Sequence, residues 1–64
     1  MIERRYGQYI LKYDKRGAVA QVTMYDLGDI RFPLVWSKTM TVEQGLGALA
    51  LFEAIGYFDM PVTT

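Results

Sequence analysis

The chain has 64 residues, 52% of them hydrophobic, with one Trp, five Tyr and three Phe, no Cys and no His, and seven basic side chains set against seven acidic ones. That length bounds the protein to one domain, 1–64, since a chain near this size buries only about 60% of the surface its unfolded form exposes. The inventory excludes a disulfide framework, most zinc chemistry, and both the commonest general base and the strongest nucleophile, so the chain reads as a non-enzyme with no catalytic, cofactor or metal residues.

A net charge of zero supplies no overall field for polyanions and favours self-association, the one stabilising aid left to so small a core. The start, Met1-Ile2-Glu3-Arg4-Arg5, has no apolar run behind its charges and does not read as a signal peptide, so a cytoplasmic protein is expected. Gln8 to Tyr13 predicts a first strand with Tyr9, Leu11 and Tyr13 on its core side. Asp14-Lys15-Arg16-Gly17 supplies a turn, a hairpin with a bulge, into a second strand, Ala18 to Tyr25, whose inward set is Ala18, Ala20, Val22 and Met24. Asp26-Leu27-Gly28-Asp29 turns again. A third strand follows over Ile30 to Met40, with Ile30, Phe32, Leu34 and Trp36 alternating against Arg31, Pro33, Val35 and Ser37. Pro33 cannot donate to a ladder, which marks this strand as an edge or as bulged there.

Thr41-Val42-Glu43-Gln44 spells a capping box and opens a helix that ends between Gly56 and Phe58, before Pro61 and a frayed tail, Val62-Thr63-Thr64. The apolar stretch Gly45 to Phe58 contains Glu53 and falls short of the about 20 residues that a membrane span needs. At about 100° per residue, Val42, Leu46, Leu49, Ala50 and Tyr57 share one stripe, and Ala48, Leu51, Phe52 and Ile55 fall largely on the other. Three strands cover one stripe. The second calls for another subunit, unless the N-terminal arm or the tail folds over it. Gly45, Gly47 and Gly56 fit either close packing against another backbone or frayed helix ends.

Several spellings fail as chemistry. Gly45-Leu46-Gly47-Ala48-Leu49-Ala50 matches G-x-G-x-x-A, but a dinucleotide turn needs a βαβ unit and an acidic residue about 20 positions on. Ser37 and Lys38 are strand neighbours and point to opposite faces. Asp14, Asp26 and Asp29 sit where turns favour aspartate, while Glu53 marks an interface rim or pairs with a cation.

The β-β-β-α order, with the D-K-R-G hairpin and the T-V-E-Q helix start, resembles in topology the small dimeric single-strand nucleic-acid binders whose terminal helices pair. The likeness is short of one strand and of their basic content. The expected fold is therefore α+β, a three-stranded antiparallel sheet followed by one helix, as a homodimer joined through Ala48, Leu51, Phe52 and Ile55. The expected function is a non-catalytic protein-binding module, a small inhibitor or adaptor of the kind phages and mobile elements encode, with Lys12, Tyr25, Arg31 and Val35 on the face open to a target. The alternative is single-stranded nucleic-acid binding by Lys12, Tyr25 and Arg31 on the outer sheet face. Membrane insertion is not expected.

Overall fold

The computed structural model describes residues 1–59; the expected Pro61 stop and the frayed tail lie outside the described residues. Four strands precede one helix: β1 (Ile2–Tyr6), β2 (Tyr9–Arg16), β3 (Val19–Asp26), β4 (Leu34–Thr41) and α1 (Val42–Ile55). The sheet is an antiparallel meander in the order β1-β2-β3-β4, so the three-stranded expectation is corrected to four.

The added strand is the charged start of the chain. Ile2 pairs with Tyr13, Arg4 with Leu11 and Tyr6 with Tyr9, which places Ile2, Arg4 and Tyr6 on the helix side. An arginine in the inward set hides the alternation from a reading of polarity alone. Arg4 is accommodated because its guanidinium forms an ion pair with Glu53 of α1.

Both leading hairpins use two-residue loops, Gly7-Gln8 and Gly17-Ala18, bracketed by the pairs Tyr6/Tyr9 and Arg16/Val19. Gly7 and Gly17 have φ of 60° and 65°, the positive value that a type II′ turn requires at its first central residue. The bulged turn expected at Asp14 to Gly17 is thereby corrected: Asp14, Lys15 and Arg16 remain in β2, and Ala18 is a loop residue exposed to solvent.

The third expected strand starts late. Asp29 Oδ1 accepts from the backbone N–H groups of Arg31 and Phe32, Asp26 Oδ1 accepts from that of Gly28, and Pro33 has none to give. With those amides taken, residues 27–33 form a loop and β4 opens at Leu34. Met24 pairs with Trp36 and Tyr25 with Leu34, so Val35 is an extra residue, a bulge that turns Leu34 away from the helix side. Of the two alternatives read from Pro33, β4 meets the edge position; the bulge falls at Val35, and Pro33 itself lies in the loop.

The helix begins as read. Thr41 Oγ1 accepts from Gln44 N–H at 3.1 Å, Gln44 Oε1 accepts from Thr41 N–H at 3.2 Å, and Gly56 closes the helix with φ 75° and an N–H bond to Phe52 O. The core joins Leu11, Tyr13, Ala20, Val22 and Met24 of the sheet to Ala48, Leu49 and Phe52 of α1. Gly45 sets how the helix sits, since a Cβ there would stand 2.6 Å from the Tyr13 ring and 3.1 Å from Ala20 Cβ. Its absence lets α1 lie flat on β2 and β3, which makes Gly45 a contact within the fold.

Candidate interaction surface

Two of the four side chains expected at a dimer contact, Ala48 and Phe52, belong to the protein's own core, and this corrects their assignment as surface. The cause is helix phase. Gly45, Ala48, Leu49 and Phe52 face the sheet, whereas Leu46, expected to face it, is 49% exposed. Leu51 and Ile55, the other two, are 44% and 60% exposed. Glu53 marks the flank of α1 that faces β1, through Arg4. Leu51 and Ile55 lie about half a turn from Glu53 on the helix, so they flank the β4 side. Gly47, Ala50 and Ala54 complete an outer helix surface whose only charges are Glu43 and Glu53.

The helix ends in an aromatic latch. Tyr57 meets Tyr9 edge-on at 4.9 Å, Phe58 meets Trp36 at 5.5 Å, and Trp36 Nε1 donates to Phe58 O at 3.2 Å. Desolvation, followed by the neighbouring Asp59 carboxylate, raises the Tyr57 phenol above its ordinary 10.0. This latch covers one end of the core and leaves Leu51 and Ile55 open.

The loop over residues 27–33 is the feature that reading the strands missed. Ile30 and Phe32, expected to point inward, are 93% and 75% exposed. Its base is tied down: Leu27 N–H donates to Gln8 O and Asp26 N–H to Pro33 O, both at 2.7 Å, and Asp29 N–H donates to Asp26 O at 3.1 Å. The two aspartates four positions from Pro33 and seven positions from it were the available signal, because an aspartate that caps amides two and three residues on forbids a ladder there.

On the sheet face away from α1, Lys12 and Tyr25 come together as expected, the ammonium 5.2 Å from the ring centre. Arg31 does not join them, being in the loop, and Val35 is half exposed at the bulge. Lys12 also pairs with Glu3 at 3.4 Å and Arg16 with Asp14 at 3.1 Å, so two cations of this face have carboxylate partners, while Arg5 donates to Gly7 O at 3.1 Å. A shallow depression of about 210 Å³ lies among Lys12, Asp14, Arg16, Gln21, Thr23 and Tyr25. Gln21 and Thr23 are occupied there by hydrogen bonds to Ser37 Oγ at 3.2 and 2.9 Å.

Among the described residues, no three of His, Cys, Asp and Glu cluster as metal ligands, and no helix is long and apolar enough to cross a membrane. No protein-family model, curated protein or solved structure matches the chain.

Proposed function

We propose that this protein is a protein-binding module, a homodimeric inhibitor or adaptor that acts on a larger protein by contact and carries out no chemistry of its own. The observation that carries the reading is the pair Ile30 and Phe32, 93% and 75% exposed after folding, on a loop whose backbone Asp26 and Asp29 hold in place. Holding two such side chains in water forgoes about 1.5–3 kcal/mol each of burial, and an aromatic anchor on a pre-ordered loop recovers it in a partner's pocket at little entropic cost.

The outer sheet face supports the nucleic-acid alternative less well. Lys12 and Arg16 have carboxylate neighbours there, and the Lys12 ammonium covers the Tyr25 ring on which a base would stack. Capture from native host lysate with immobilised wild type and with the double variant Ile30→Glu/Phe32→Glu, at low and high salt, tests the proposal. A protein retained by the wild type at both salt concentrations and lost by the variant is the expected result. Equal capture by both, or binding of a labelled oligonucleotide that falls steeply as salt rises, would overturn it.

A further inference from the structure

We infer that β4 is the joining edge of the homodimer: two copies pair β4 with β4, antiparallel about a two-fold axis through Ser37, into one continuous sheet. The inference deepens the homodimeric part of the function proposed above and is independent of the target loop.

The sheet has two edges, and they differ in chemistry. β1 is five residues long, carries Glu3, Arg4 and Arg5, and folds its side chains back on its own backbone, with Arg4 Nη1 donating to Glu3 O at 3.0 Å and Arg5 Nε to Gly7 O at 3.1 Å. Charges and short length are how a sheet edge is closed to other chains. β4 is eight residues long with one charge, Lys38, and its bulge lies at its first turn of pleat, leaving Trp36 to Thr41 regular. Among the described residues, one edge of the sheet is guarded and no strand pairs with the other.

A second copy of β4 fits that opening. A two-fold axis perpendicular to the sheet keeps like faces together, so opposed positions must share a face. Centring on Lys38 would set like charges opposite one another, which is destabilising. Centring on Ser37 sets Lys38 opposite the partner copy's Trp36 on the helix side, a cation beside an indole, and the bulge at Val35 ends the regular pairing beyond Trp36. Zero net charge on the chain leaves no long-range repulsion to oppose the approach.

This arrangement makes a geometric statement about α1. Centres of the two four-stranded units would stand about 19 Å apart, four strand spacings, beyond the about 8–10 Å of packed helices. Leu51 and Ile55 would thus line a cleft above the paired strands and would not hold the dimer together.

Because the chain has no cysteine, a single introduced one reports only on itself. Light scattering of the wild type and of Leu51→Glu should both give twice the 7.3 kDa chain mass. Ser37→Cys should be captured as a covalent dimer by oxidation or by a short bis-maleimide, and Arg5→Cys on β1 should stay a single chain on a denaturing gel. A dimer that Leu51→Glu dissolves and that Ser37→Cys does not trap overturns β4 pairing in favour of helix packing, leaving the homodimer intact. A wild-type monomer at micromolar concentration overturns both, while lysate capture by Ile30 and Phe32 is scored separately.

Discussion

Phe52 is the largest fully buried side chain and sits where α1 meets the sheet. Phe52→Ala should therefore cost about 3–5 kcal/mol, a large share of what so small a domain possesses, whereas Ile55→Ala on the exposed flank should cost under about 0.5 kcal/mol. Urea unfolding of the two variants checks this, and a comparable shift for both would place α1 in a different phase. Sequence reading had these two residues on the same stripe. An apolar pattern on every side of a helix does not reveal which side faces in. Gly45 decides it, because the missing Cβ admits the Tyr13 ring, and that is a fact about the other surface of the contact. Tyr57 makes a second prediction at this scale. A phenol whose folded pKa lies above its unfolded 10.0 favours the folded state below pH 10, and that contribution is lost as pH rises from 10 through the folded value. The urea midpoint should fall in that window, and Tyr57→Phe should make the fall shallower; an unchanged profile would remove Tyr57 from the latch.

At the scale of elements, what could be read was what the backbone forces locally. The inward sets Leu11/Tyr13 and Ala20/Val22/Met24 follow from alternation, and the helix boundaries follow from Thr41, Gln44 and Gly56. Thr41→Ala removes the cap oxygen and should cost about 1 kcal/mol in thermal or urea unfolding. What could not be read depended on distant partners. β1 was hidden because Arg4 faces inward, a placement that only Glu53, far along the chain, makes acceptable. Ile30 and Phe32 alternate like strand residues, yet Asp29 claims the amides such a strand would use. Asp29→Ala should release them. Amide hydrogen exchange at Arg31 and Phe32 should then quicken while β2 and β3 remain protected, and target capture should weaken even though both apolar side chains are still present. Unaltered exchange would mean that the loop owes its shape to Pro33 and the strands alone.

For the molecule as a whole, every pair of neighbouring strands is also consecutive in the chain, and the first two connections are two residues long. Long-range closure is confined to α1 folding back and to the latch at Tyr57 and Phe58. Few distant contacts must be found in the search for the native state, so folding should be fast for a sheet protein, on the order of milliseconds in stopped-flow mixing. A single slow phase of seconds would contradict the local character of the meander. Apolar surface lies on the helix flank, on the loop and, through Val19 and Leu34, on the sheet face away from the helix, which also carries the ion pairs Lys12/Glu3 and Arg16/Asp14. A molecule built this way should keep its affinity for a protein target as ionic strength rises.

The contrast between the two borders of the sheet reaches further than one contact. Units that can be extended at both ends grow without limit, and units with a single available end stop at pairs. Glu3, Arg4 and Arg5 would on that account be what keeps a small, greasy chain of zero net charge from turning into a fibre. Replacing all three with threonine should convert a finite species into one that scatters light and binds amyloid dyes over time.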